Sequence, residues 1–122
     1  IADIEATTAG PELIEDHGAG YLAHSNHFLR PRYATKENHA QGWRDSFPRL
    51  DRIQGLLKAR AGSLTVDDIR GYLRDHSGYP TSICRHDGNS VTVASIIAEP
   101  GERRMHVALG NPCRHEYGTY SI

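Results

Sequence analysis

A carboxamide and two imidazoles fall within four residues near the end of the run Gly20-Tyr21-Leu22-Ala23-His24-Ser25-Asn26-His27-Phe28-Leu29. A carboxamide donates hydrogen bonds without needing a particular protonation state, so Asn26 suits an oxygen that turns negative in a tetrahedral intermediate. A preorganised donor of that kind is worth about 3–4 kcal/mol of barrier. The competing role is a turn-forming Asn that satisfies backbone groups at a strand end. His24 and His27 flank it at a spacing that can chelate a metal, but side chains three apart on extended chain point to opposite faces. The expectation is therefore that they hydrogen-bond and position Asn26 or line the substrate site.

Two further half-sites stand out, Cys84-Arg85-His86 and Cys113-Arg114-His115. Four thiol and imidazole donors would suffice chemically for zinc, yet the single-residue spacer is not the usual two-to-four-residue knuckle, and packed thiols with no metal are the expectation. Arg85 and His86 could activate a thiol as a nucleophile, and whether the two cysteines are bridged is open on sequence alone. Arg85 is a candidate for binding a substrate carboxylate or phosphate, an internal salt bridge being the alternative. Asp75 and His76 are adjacent, and neighbours on a helix diverge by about 100°, so they form no dyad.

The elements that must carry these residues can be read from periodicity and breakers. Residues 1–9 form a strand that ends at Gly10-Pro11, with Glu12–Glu15 as its return, and Tyr21–Ala23 makes a further strand whose end displays the polar run. Arg30 to Gly42 is polar and aperiodic, a loop. Asp45 or Ser46 caps a helix in which Leu50, Ile53 and Leu57 recur until Gly62, with Pro48 tolerated in the first turn. Thr65 caps a second helix through the amides of Asp67 or Asp68, with Val66, Ile69, Leu73 and His76 on its core-facing side. Residues 90–98 and 103–109 form a hairpin around Glu99-Pro100-Gly101-Glu102, and the tail from Asn111 is irregular. Strands grouped around helices predict an α+β fold, mainly antiparallel with two helices.

The Ser25-Asn26-His27-Phe28 run resembles the Thr-Asn-His-Phe segment of the acyl-coenzyme A:6-aminopenicillanate acyltransferase family, the peptidase C45 group of N-terminal-nucleophile hydrolases. Leu73-Arg74-Asp75-His76, Ser82-Ile83-Cys84-Arg85-His86, Ser90-Val91-Thr92-Val93-Ala94-Ser95 and Gly110-Asn111-Pro112-Cys113 extend the resemblance in the same order to about residue 117. It implies part of an αββα sandwich, an oxyanion-stabilising role for Asn26, and acyl transfer or amide hydrolysis on a processed cysteine. Because the chain starts at Ile1, the reading is a C-terminal portion whose nucleophile-bearing segment or subunit lies upstream and whose isolated form is inactive. No cofactor is implied, coenzyme A thioesters entering as substrates. The partners are that upstream segment and a small-molecule acyl donor and acceptor.

Composition narrows the classes. Fourteen basic against fifteen acidic residues leave a net charge of −1, which gives no electrostatic footprint for nucleic acid. No apolar run is long enough to span a bilayer, and a cytoplasmic setting is the default expectation. A mean hydropathy of −0.57 is polar for a self-sufficient globule and fits apolar faces that meet a further segment. The rival readings are a non-enzymatic domain that binds a partner or ligand through an open strand face, and, third, a zinc-binding module.

Overall fold

Small and β-branched residues at the start of the chain pair with a return led by Gly-Pro. In a computed structural model, which describes residues 1–34, 45–86 and 90–122, β1 (Ala2–Thr7) and β2 (Gly10–Glu15) are antiparallel, from Ala2 opposite Glu15 to Thr7 opposite Gly10. The turn is thus Thr8-Ala9, and Gly10-Pro11 opens the return strand instead of ending the first. Gly10 takes a φ of 106°, which only glycine adopts without strain. Pro11 is tolerated because both strands of a two-stranded ribbon are edges.

The chain divides into two compact units, residues 1–63 and 64–122. In the first, the ribbon leads through a turn in which Asp16 accepts the Gly20 amide at 3.0 Å. Tyr21–Ala23 then runs as irregular chain, not as the expected strand. In the polar run that follows it, the amides of Asn26, Leu29 and Arg30 are satisfied by the side chains of Ser46 and Glu5, so that stretch needs no ladder. The expected loop begins with one helical turn, α1 (Pro31–Ala34), and its remainder, residues 35–42, lies outside the described residues. Tyr33 in that turn is fully buried, and its hydroxyl donates to the Gly10 carbonyl, which fastens α1 to the ribbon. Helix α2 (Ser46–Ala59) buries Ser46, Leu50 and Leu57, as its periodicity requires.

In the second unit, α3 (Val66–Leu73) starts at a complete capping box, with Thr65 accepting the Asp68 amide and Asp68 accepting the Thr65 amide. The helix stops at Leu73, so His76 lies beyond it and is exposed, not on a core stripe. Local bonds divert the chain there: Ser77 N–H donates to the Asp75 carboxylate at 2.9 Å. Strands β3 (Ala94–Glu99) and β4 (Arg104–Leu109) form the expected hairpin, shorter at its start and joined by a 3₁₀ turn at Pro100–Glu102. The tail is not wholly irregular. Strand β5 (Gly118–Ser121) pairs with β4 from Arg104 opposite Ser121 to Val107 opposite Gly118, giving the order β3-β4-β5.

The fold is α+β with two antiparallel sheets. Among the described residues no helix is long and apolar enough to cross a membrane. Both sheets turn the less usual way round. In β1 Glu5 is buried while Ile4, opposite Leu13, is 63% exposed, and in the second sheet Ser95 and His106 are buried while Ile96 and Leu109 stay open. Open apolar sheet faces promote association. The chain alone should bind an apolar fluorescent dye and grow in particle size with concentration in light scattering. A dye-silent monomer across that range would show that these faces are covered in solution.

Candidate functional site

Ser46 stands at the first position of α2 with no exposed surface, and a buried hydroxyl must be paired. Its Oγ accepts the Asn26 amide at 2.7 Å and meets His27 Nδ1 at 2.8 Å and Ser25 Oγ at 2.6 Å. Ser25 in turn donates to the Ser46 carbonyl at 3.0 Å. With the His27 proton on Nε2, Ser46 donates to Nδ1 while accepting the Asn26 amide. The His27 ring is itself buried and stacks on Phe47 at 3.9 Å between centroids. This small network pins residues 25–27 to the start of α2. Fully enclosed, Ser46 organises the segment and cannot reach a substrate as a nucleophile.

Asn26 is the member that faces outward. It sits in a bend, not at a strand end, and its side chain is exposed. Its Oδ1 accepts from Arg49 Nη2 at 2.7 Å, and Arg49 is held in turn by the carbonyl and carboxylate of Asp45. A guanidinium only donates, so this bond fixes which way round the carboxamide lies. The amide nitrogen, with no acceptor among the described residues, is left pointing away from Arg49.

His24 is turned elsewhere. Its Nε2 meets the Glu5 carboxylate at 2.9 Å and its Nδ1 the Ser25 carbonyl at 2.7 Å, so both ring nitrogens face acceptors. His24 and His27 therefore share no ion, in keeping with their three-residue offset. Burial alone would lower the His24 pKa, but the bonds to Glu5 and Ser25 and the nearby charge of Asp3 outweigh it and raise it. Burial likewise pushes Glu5 up, while the amides of Leu29 and Arg30 and the His24 ring outweigh it and hold the carboxyl below its usual value. Glu5, Ser46 and Arg49 were not recognisable as site residues. Nothing local marks a β-strand carboxylate or a helix-start serine as the partner of a segment some twenty residues away.

Arg85 belongs to the second unit, where its backbone exchanges bonds with Thr92 and its carbonyl accepts from Asn111. A groove there, lined by Thr65, Asp67, Arg70, Glu99, Arg104 and His106, holds charges already paired: Arg70 with Asp67 at 2.8 Å, Glu99 with His106 at 2.8 Å. Cys84 and Cys113 are free thiols with sulfurs 3.6 Å apart, and burial first, then the neighbouring thiol, pushes Cys84 up, away from thiolate reactivity. His86 joins them. His115 does not; its ring packs on Gly110, and His76 takes the place the sequence spacing gave to it.

Compared with known families, residues 1–114 match the acyl-coenzyme A:6-aminopenicillanic acid acyl-transferase family. The chain belongs to that family. The match spans both units and every motif that carried the resemblance, and it associates the chain with acyltransferase chemistry. No curated protein matches the chain.

The Glu5–His24 pair makes the first unit sensitive to pH from both sides. A carboxyl with a depressed pKa stabilises fully above its unfolded value of 4.5 and loses that contribution as pH falls through the folded one. An imidazole with a raised pKa stabilises fully below its unfolded value of 6.5 and loses that contribution as pH rises through the folded one. The thermal midpoint should therefore peak between about these two values. Glu5→Gln should flatten the acid limb, leaving the smaller share of Asp16 and Glu99, and His24→Gln should flatten the alkaline limb. Variant and parent profiles that run parallel would refute the pairing.

Proposed function

We propose that this chain takes part in acyl transfer or amide hydrolysis through an acyl-enzyme on an N-terminal cysteine carried by an upstream segment or subunit, with Asn26 donating to the oxyanion. In this reading the cysteine thiolate attacks the carbonyl of an amide or thioester, and its own α-amino group takes the thiol proton and hands it to the leaving amine or thiol. An amine or water then takes the acyl group. Acyl-coenzyme A esters fit as donors because they are thioesters already activated toward attack.

The observation that carries the reading is the Arg49-locked carboxamide. With Oδ1 held by a cation and the backbone amide held by Ser46, the remaining donor, Nδ2, is aimed before any substrate arrives. A donor fixed in advance costs no reorganisation when charge develops. Exposed as it is in this chain, the donor is weakened by water, and the proposed upstream segment would supply the cover that makes it effective. Cys84 is fully buried, which supports placing the nucleophile elsewhere. The open apolar sheet faces favour a second reading, a non-enzymatic partner-binding domain. Intact mass spectrometry of the native protein distinguishes them, an accompanying segment with a leading cysteine belonging only to the first.

In the protein that includes the cysteine segment, Asn26→Ala should lower kcat by about 100-fold or more with little change in KM. Arg49→Gln should lower kcat less, because it loosens the donor without removing it. The 122-residue chain alone should show no turnover. Unaltered kcat in Asn26→Ala would dismiss the oxyanion assignment.

A further inference from the structure

The geometry points to a structural zinc site in the second unit, formed by His76, Cys84, His86 and Cys113. One donor atom from each lies within 4.8 Å of all the others. The sulfurs of Cys84 and Cys113 are 3.6 Å apart, His86 Nε2 is 3.1 Å from Cys113 Sγ and 4.0 Å from Cys84 Sγ, and the Nε2 atoms of His76 and His86 face each other at 2.7 Å. Zinc bonds of about 2.3 Å to sulfur and about 2.0–2.1 Å to nitrogen, arranged tetrahedrally, put sulfurs about 3.8 Å apart and nitrogens about 3.3 Å apart. The sulfurs are within about 0.2 Å of that figure, the two nitrogens would part by about 0.6 Å, and the widest separation in the group, up to 4.8 Å, would close by about 1.2 Å to the roughly 3.6 Å of sulfur and nitrogen on one zinc.

The His86 nitrogen is the deciding atom. An imidazole Nε2 has either one hydrogen or one lone pair, directed along a single line in the ring plane, yet three donor atoms converge on it. Hydrogen bonding serves one of them at a time. A cation at the centre serves all four ligands at once, through lone pairs on the imidazoles and thiolate charge on the sulfurs. Two soft thiolates with two imidazoles select zinc over magnesium or calcium. Four protein ligands close the coordination sphere, which makes the site structural and not catalytic.

The ligands come from three stretches of chain, each held by bonds of its own. Cys84 N–H donates to the Asp75 carbonyl at 2.9 Å, which ties the Cys84 loop to the stretch that carries His76. The Asn111 amide donates to the Arg85 carbonyl, and Arg74 Nε donates to the Pro112 carbonyl at 2.8 Å, which set the Cys113 turn against both. Zinc would therefore clamp the end of α3, the 81–86 loop and the turn after β4 to one another. His115 is outside the set.

The test uses the full chain, stripped of metal and reconstituted under reducing conditions. Elemental analysis should find about one zinc per chain, and cobalt in its place should give the thiolate charge-transfer and visible bands of a tetrahedral site with two sulfurs. Because Cys84 is buried and its replacement could disturb folding, the discriminating variant is His76→Ala, at the exposed rim. It should weaken zinc on the order of 100-fold and alter the cobalt spectrum, while His115→Ala leaves both unchanged. Failure to bind zinc, retention of full affinity in His76→Ala, loss of it in His115→Ala, or a chain that titrates for no free thiols because Cys84 and Cys113 are bridged would each overturn the site.

Discussion

Glu5 is a full negative charge on the covered face of a ribbon, 4% exposed, and the course of the chain from His24 to Arg30 follows from the need to neutralise it. An isolated buried carboxylate is prohibitively costly, so the structure brings it two backbone amides and an imidazole. Those three bonds hold the ends of a segment that has no strand neighbour. Ser46 holds its middle. What remains outside this accounting among the described residues is the Asn26 amide nitrogen, the group to which the proposed function gives the oxyanion. The second unit obeys the same constraint. Buried His106 receives Arg70 on Nδ1, which leaves its Nε2–H for Glu99, and α3 is fixed against the sheet by this line of polar contacts together with Arg70 and Arg74 over the Tyr117 ring.

The polar inward faces and the apolar outward faces are two sides of one arrangement. Along β3 and β4 the alternation is regular, Ser95 and Ile97 inward, Ile96 outward opposite Val107, but the outward row is apolar and Ile96 and Leu109 in it are exposed. Ile4 and Leu13 repeat this in the ribbon. Sheets built so have spent their polar residues on contacts with helices and loops. Covering their remaining hydrophobic area would stabilise an assembly by about 25 cal/mol per Å².

Local signals were legible and distant ones were not. The capping box at Thr65 and the hairpin around Pro100-Gly101 could be read because each is decided within a few residues. The helix from Ser46 followed from its leucine spacing. The family resemblance was legible from short motifs in a fixed order. Tyr21–Ala23 looked like a strand because a short apolar run says nothing about whether an edge is free to receive it. His76 continued the helical stripe on paper, but Asp75 and Ser77 turn the chain one residue after Arg74. The four donors at 76, 84, 86 and 113 belong to three separate stretches, and their convergence depends on bonds such as Arg74 to Pro112 that no spacing rule encodes. The short strand at Gly118–Ser121 exists only because β4 offers it an edge.

Gly110 joins β4 to the turn that carries Cys113. It takes a φ of 84°, donates its N–H to the Val93 carbonyl at 2.8 Å, and has the His115 ring where a Cβ would stand, 2.9 Å away. Any other residue would incur about 1–2 kcal/mol for the left-handed backbone and would also have to displace the ring. Among naturally varying sequences of this family, a chain that keeps this turn should show almost no substitution at that position. His115, by contrast, is free to drift toward any flat or small side chain that leaves the glycine uncovered, so the two positions carry opposite evolutionary signatures although they touch.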